Sequence, residues 1–378
     1  VNDYYAPGGL FEQERQRELN ELEYQRLVAR KEAEVRYATE VAQKNPAPVF
    51  DLGLLDDIPD LPVAWRIEGL LPEKGRLLVA AQRKTGKTTL GLNIARCVIT
   101  GERLLGKLDT TPTDGRVALF NYEVSGAQAA RWARDHGIPG DRLVLVNLRG
   151  RRNPLGHPED QAALMAKMIE HDVRMLIVDP FGRAFTGSSQ NDSTEVQSWL
   201  LNLDQFATDA GIGEVVLMTH AGWNGERTRG SSALEDWPDA VVWMVRGTDA
   251  RGQEDGTRFL RAEGRDVDIE EDQFTYDETT RMIRFANTGS RAHTRKTVQM
   301  DAVMSALVDY VKRHPGASTK AIEEGLRAEG AVRFQKGDVA RASRSAQSKG
   351  LIHVKPGSRG AHEHFHGGAV PDDVDIFL

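Results

Sequence analysis

The sequence predicts an α/β fold: a mostly parallel sheet covered by helices, with a charged N-terminal helix before it and a small basic module after it. Two observations predict the sheet. From Gly75 to Phe285 short apolar runs alternate with segments of helical period, the pattern of strands joined by crossover helices. Within that stretch Leu77-Leu78-Val79-Ala80 leads through Ala81-Gln82-Arg83-Lys84-Thr85-Gly86-Lys87-Thr88 into Thr89-Leu90-Gly91-Leu92-Asn93-Ile94-Ala95, which reads as strand, tight loop, helix. A third observation sets the C-terminal module apart. The chain carries a net charge of −7, yet residues 291–360 hold 14 Lys and Arg against 6 Asp and Glu. A basic module on an acidic body suggests a polyanionic partner.

Length and composition bound the rest. The 378 residues are enough for two or three domains with a large core. Charged residues at 28% and hydrophobic ones at 40% are those of a globular protein in water. No apolar run approaches the roughly 20 residues of a membrane span. The start, Val1-Asn2-Asp3-Tyr4-Tyr5, lacks the basic-then-apolar pattern of a secretory signal. The single cysteine, Cys97, cannot form an internal disulfide and reads as a small core residue. These features predict a cytoplasmic protein with no membrane partner.

Taken in order, residues 1–50 are dominated by a charged helix from about Leu10 to Gln43. Leu19, Leu22, Leu27 and Val28 form a narrow apolar seam, and Glu12/Arg15, Glu14/Arg17, Glu23/Arg26 and Glu32/Arg36 sit at helix-pair spacing. Such a helix either docks on a neighbour or stays solvated. Asn45-Pro46-Ala47-Pro48 ends it. Residues 51–290 form the α/β domain. Its strands are expected at Arg76–Ala81, Arg116–Val124, Leu143–Leu148, Val173–Asp179, Glu214–Thr219, Ala240–Val245 and Arg258–Glu263, with a last hairpin around Gln273–Phe285. Its helices are expected at Lys87–Thr100, Ala127–His136, Pro158–His171 and Ser193–Gly211. Residues 291–366 form the basic module and 367–378 an acidic tail.

The loop fits G-x-x-x-x-G-K-[ST], with Ala81 at the first position. In such a loop the backbone N–H groups of residues 81–89, through Thr89, face nucleotide phosphates. Lys87 adds a point charge on the terminal phosphates and Thr88 a hydroxyl ligand to Mg²⁺, so ATP and Mg²⁺ are the expected cofactors. Asp179 ends the buried strand Val173–Asp179 and can reach the same Mg²⁺. Glu123 follows the strand Val117–Tyr122 at the sheet edge where ligands of open α/β sheets bind, and can act on the attacking water. His220 ends Glu214–Thr219 and can report the state of the terminal phosphate to the loop behind it. That loop, residues 221–234, is rich in Gly and basic residues. It predicts a mobile segment in which Asn224, Arg227 and Arg229 touch DNA phosphates.

The order of these motifs resembles the RecA-like P-loop ATPases of the hexameric-helicase type, specifically the RepA-like group (AAA_25-type) carried by plasmids, phages and other mobile elements. The resemblance covers about residues 60–285. It rests on Gly86-Lys87-Thr88, Glu123, Leu176-Ile177-Val178-Asp179-Pro180, Thr219-His220-Ala221-Gly222 and Arg229-Gly230-Ser231-Ser232-Ala233-Leu234 leading to Asp239-Ala240-Val241. It implies a RecA-like NTPase core and a homo-oligomer, a hexamer, in which ATP sits between subunits and a neighbour's arginine completes each site. Arg265 is the best match to that arginine, with Arg261 and Arg229 as alternatives.

In the basic module, residues 287–297 read as a linker. A helix follows at about Val298–His314, with Val303, Leu307, Tyr310 and Val311 on one face. Ser318 can cap a second helix holding Ile322 and Leu326. A third, Lys336–Lys349, turns Val339 and Ala346 inward and Arg341, Arg344 and Lys349 outward. Leu351–Val354, a turn through Arg359, and Ala361–Phe365 look like a β-wing. His362, His364 and His366 read as wing-surface residues rather than metal ligands. The module resembles winged helix-turn-helix domains, which implies duplex DNA contact through Arg341, Arg344, Lys349 and Arg359. Together these features predict an ATP-driven DNA motor passing single-stranded DNA through a ring: a replicative helicase or helicase loader. A filament-forming recombination ATPase and an ATP-switched DNA-binding regulator are the alternatives.

Overall fold

The computed structural model describes residues 17, 19–33, 36–37, 54–57, 60–222, 227–249, 252–330, 332–357 and 361–367. Residues 19–33 are helical (α1), and every described side chain of this helix is exposed, including Leu19, Leu22, Leu27 and Val28. The expected pairs Glu12/Arg15 and Glu14/Arg17 lie partly or wholly outside the described residues. Arg30 reaches Glu159 at 3.1 Å, tying α1 to the start of a helix of the α/β domain.

A two-stranded ribbon, β1 (Trp65–Ile67) and β2 (Leu71–Pro72), leads into the central sheet. Its strands are β3 (Arg76–Ala81), β4 (Arg116–Asn121), β5 (Leu143–Asn147), β6 (Val173–Asp179), β7 (Glu214–His220), β8 (Ala240–Thr248), β9 (Glu254–Gly264), β10 (Val267–Tyr276) and β11 (Ile283–Phe285). The spatial order is β11-β10-β9-β8-β3-β7-β6-β4-β5. Strands from β8 to β5 in that order pair in parallel, and β9, β10 and β11 extend the sheet antiparallel.

Strand periodicity sorts the core into two layers. Leu77, Val79 and Ala81 of β3 join Val216 and Met218 of β7 on one face, under α2 (Lys87–Thr100) and α3 (Gly126–Asp135). Leu78 and Ala80 join Val215 and Leu217 on the other. That second face lies under α4 (Pro158–Glu170), the short α5 (Phe181–Ala184), α6 (Ser193–Asp209) and the short α7 (Ala233–Asp236). A parallel sheet covered on both faces needs such continuous apolar strands. Among the described residues no helix is long and apolar enough to cross a membrane.

Two expectations are corrected in this region. The strand at Arg258–Glu263 is the C-terminal part of a longer hairpin arm, β9, which turns at Arg265-Asp266 directly into β10. The acidic run Glu270-Glu271-Asp272 and a register irregularity between Ile269 and Asp272 hide the alternation that would have revealed β10. The predicted linker at 287–297 is largely helix, because α8 spans Arg291–Arg313 and starts at Ser290, whose hydroxyl accepts from His293 N. Its first turns are polar and exposed, so they carry no apolar period. The β10 carboxylates hold this entry. Asp272 accepts from the N–H groups of Asn287, Thr288 and Gly289, and Glu271 binds both the backbone N and the guanidinium of Arg291.

A third apolar cluster joins Val303, Leu307 and Val311 of α8 to three further groups. These are Ile322 and Leu326 of α9 (Thr319–Glu329), Val339, Ala342 and Ala346 of α10 (Asp338–Ser348), and Ile352. Ser318 caps α9 by accepting from Ala321 N. A small sheet in the order β12 (Ala317–Ser318), β14 (His362–His366), β13 (Ile352–Pro356) closes this part. The three alternating histidines do not all lie on its surface. His364 is buried between α10 and β12: Nδ1 donates to the Ala317 carbonyl at 3.0 Å and Nε2 accepts from the Ser343 hydroxyl at 2.9 Å. Only its two neighbours in the alternation, His362 and His366, are exposed.

Burial gives two testable consequences. Cys97 is fully enclosed, and burial, with Glu102 nearby, pushes its thiol up to about 12. The native chain should therefore resist iodoacetamide at pH 8 and react only after unfolding in guanidinium, as mass spectrometry would read. For His364 burial holds the imidazole below its usual range, against the backbone carbonyls that favour protonation. A depressed native pKa means stability that is full above the unfolded value of about 6.5 and lost as pH falls through the native one. Exchange protection of α10 and β14 amides, corrected for intrinsic rate, should thus drop between pH 7.5 and 5.5.

Candidate nucleotide-binding site

The parallel register places four strand ends side by side. Ala81 is level with His220, Val178 with Leu217, and Asn121 with Asp179. The loop leaving β3 is held to its neighbours by backbone bonds: Gln82 N to Met244 O on one side and Ala221 N to Ala81 O on the other. The Gln82 side chain accepts from Arg246 N at 2.8 Å, and Thr85 closes the loop by donating its hydroxyl to Gln82 O at 2.7 Å. Gly86 begins α2 at φ +100°, a conformation that L side chains rarely adopt, although a Cβ there would meet only side-chain atoms near 4 Å. Lys84 is also left-handed, at φ +62°. No side chain caps α2, so the N–H groups of its first turn have no side-chain acceptor.

Lys87 and Thr88 turn into the cleft and converge on one carboxylate. Lys87 Nζ lies 2.8 Å from Asp179 Oδ1, and the Thr88 hydroxyl donates to Asp179 Oδ2 at 2.7 Å. Both charged groups are buried, yet the angle between Nζ and Oδ1 makes no proper hydrogen bond. Glu123 stands 3.9 Å from Lys87 Nζ with its carboxylate 40% exposed. Asn121 holds it there: the Asn121 side-chain oxygen accepts from Glu123 N and Val124 N, while its amide donates to Val124 O and Asn147 Oδ1. His220 Nδ1 is a further buried atom with no partner. Burial, and then the Lys87 charge, lower the affinity of that imidazole for a proton, and the carboxylates of Glu123 and Asp179 oppose them in part.

The remaining sequence-predicted residues fall into three groups. Ala81, Gln82, Arg83, Lys84, Thr85, Gly86, Lys87, Thr88, Thr89, Glu123, Asp179 and His220 are brought to this strand edge. Arg227 and Arg229 are exposed behind it, where Arg229 N donates to His220 O; Asn224 lies outside the described residues. Arg265 is not at this edge. It sits at the β9–β10 turn beside the start of β8, the opposite end of the sheet, where Nη1 pairs with Asp239 at 3.1 Å. Arg261 lies over the Trp243 ring and pairs with Glu263. Arg341, Arg344 and Lys349 are exposed on α10; Arg341 pairs with Asp338 and Lys349 stands 3.8 Å from Asp301. Arg359 lies outside the described residues.

The cleft also contains residues that the sequence did not single out. About 390 Å³ of space runs from Lys87 and Thr88 past Leu92 and Val124 to Trp132, His136, Tyr276 and Arg281. Trp132 and His136 are one turn apart on α3, a spacing visible in the sequence but without chemistry of its own. Tyr276 and Arg281 come from the β10–β11 turn, which only the antiparallel extension of the sheet carries over the loop.

The donor set fits a phosphate anion with a hard divalent cation. It offers an uncapped helix start, a buried lysine with no proper hydrogen bond, and a hydroxyl–carboxylate pair. Comparison with known families agrees with this chemistry: the AAA domain family AAA_25 matches residues 43–226. A search of curated proteins finds no match. The strands β8–β11 and all that follows lie beyond the matched segment. Over residues 43–226 the chain is thus similar to AAA_25 domains, and its mostly parallel sheet fits a P-loop NTPase core.

Proposed function

We propose that this protein is an ATP-hydrolysing DNA motor of the RepA-like kind, a replicative helicase or helicase loader that acts as a ring of identical subunits. The observation that carries the ATPase part is the convergence of Lys87, Thr88, Glu123, Asp179 and His220 on adjacent strand ends. In this reading Lys87 exchanges Asp179 for the terminal phosphates, and Thr88 with Asp179 holds Mg²⁺. Bound Mg²⁺ supplies neutralisation of the phosphate charge. Glu123, fixed by the Asn121 turn, orients and deprotonates the attacking water. His220, neutral at pH 7, passes the state of the site to the loop behind it through its carbonyl bond to Arg229 N and the Ala221–Thr228 bridge.

The placement of Arg265 supports the ring. It is 69% exposed at the end of the sheet away from its own loop, which in this reading leaves it open to the site of a second copy. The C-terminal helices and hairpin support contact with duplex DNA as a winged helix-turn-helix. In that reading α10 enters the groove with Arg344 foremost, because Arg341 and Lys349 already face Asp338 and Asp301.

Lys87→Ala should lower phosphate release by at least about a hundredfold, since it removes the main charge facing the transferred group; near-normal turnover would overturn the assignment. Arg344→Ala should weaken duplex binding and reduce the slope of log affinity against log salt by about one; unchanged titrations between low and moderate salt would remove α10 from the interface. ATPase rates with and without single- and double-stranded DNA, joined to a strand-displacement assay, test the motor. Hydrolysis indifferent to DNA favours a switch instead.

A further inference from the structure

The end of the cleft farthest from Lys87 is built as carefully as the phosphate end. His136 caps the C-terminal end of α3 and is only 5% exposed. Its Nδ1 lies 2.7 Å from Trp132 O. A carbonyl only accepts, so Nδ1 carries the proton and Nε2 keeps a free lone pair. Nε2 is buried and has no partner. An acceptor hidden from water without a donor is costly unless something arrives to satisfy it.

The opposite wall is fixed in place. Asn93, fully buried in α2, donates its amide to Arg281 O at 3.0 Å and accepts from Ile283 N at 2.7 Å, so the phosphate-loop helix clamps the β10–β11 turn. Arg96 of the same helix donates to both His136 O and Thr280 O, which joins that turn to the end of α3. Arg281 in turn donates to the Tyr276 hydroxyl at 3.1 Å. The cleft therefore has a phosphate motif at one end and an indole, a phenol and a lone-pair acceptor at the other. A purine nucleotide has the same two ends.

We propose that His136 reads the base: Nε2 accepts a hydrogen bond from the 6-amino group of an adenine lying against Trp132, which selects adenine over guanine nucleotides. The inference rests on the nucleotide reading of the P-loop. Adenine presents a donor at position 6, complementary to the histidine lone pair. Guanine presents a carbonyl oxygen there, which sets two acceptors against each other at a nitrogen shielded from water. Burial, with Arg281 and Arg96 nearby, keeps the imidazole from gaining the second proton that would reverse this preference. The Trp132 carbonyl and Asp135 act the other way.

Calorimetric binding of ADP, GDP and purine riboside 5′-diphosphate, which lacks the 6-amino group, to the full chain tests the proposal. ADP should bind about 10- to 100-fold more tightly than either of the others, the range expected for one hydrogen bond whose loss strands a buried acceptor. His136→Phe should bring ADP down to the level of purine riboside diphosphate and ease the penalty on GDP, whereas His136→Gln, with a side-chain carbonyl, should keep a preference for ADP. Equal affinities for ADP and purine riboside diphosphate in the unmodified chain would overturn the proposal without any variant, and so would a preference that survives His136→Phe. A chain that binds all three equally keeps the P-loop reading and loses this one; a chain that binds none loses both.

Discussion

A lysine and an aspartate meet at the buried edge of a parallel sheet, and much of the α/β domain is arranged around that contact. Lys87 and Asp179 lie 2.8 Å apart with little access to water and without good hydrogen-bond geometry. Two charges in such a place are weak evidence of stability, because desolvation offsets most of their attraction. Removing either partner would strand the other at about 3–5 kcal/mol. A pair held so tightly and bonded so poorly is suited to exchange. The lysine can leave for an incoming anion, and the carboxylate, already receiving the Thr88 hydroxyl, can take a cation in its place.

That arrangement depends on register. Each strand from β8 to β4 is apolar on both sides, so a slip of one residue would move Leu77, Val79 and Ala81 to the wrong layer and carry Ala81 out of line with His220. The apolar layers thereby fix the polar strand ends, and side-chain amides finish the positioning. Asn121 shapes the turn that presents Glu123, and Asn93 ties the helix after the phosphate loop to the β10–β11 turn. Both asparagines are buried with their amide groups engaged on each side, which makes them rigid spacers rather than adjustable contacts.

The basic C-terminal part is joined to the sheet by charge rather than by apolar packing. Glu271 and Asp272 on β10 gather the backbone N–H groups that precede α8 together with the Arg291 guanidinium, so the helix leaves the sheet in a fixed direction. Inside this part His364 plays a role usually given to an apolar residue. It bridges α10 and β12 as a neutral ring with both nitrogens satisfied.

Several parts of this are legible in the residues alone. The limits of β3, α2 and β6 follow from local apolar patterning, and the phosphate loop from a short-range motif whose chemistry is carried mostly by its own backbone. Asp179 and Glu123 are accessible because a carboxylate at the end of an apolar strand is costly to place there unless a cation or a reacting group meets it. The hairpin β9–β10 and the first turns of α8 are not legible, because charged, exposed residues erase the periodicity on which such reading relies. The burial of His364 is hidden by an alternation that looks like a surface strand. The phosphate end of the cleft and the layered sheet are thus written in the residue order, because both arise from contacts close in the chain or from simple periodicity. That Trp132, His136, Tyr276 and Arg281 share the same cleft, and that Arg265 faces away from it, emerges only from the folded arrangement. Those placements depend on which strand pairs with which across long separations, and no local spacing encodes that.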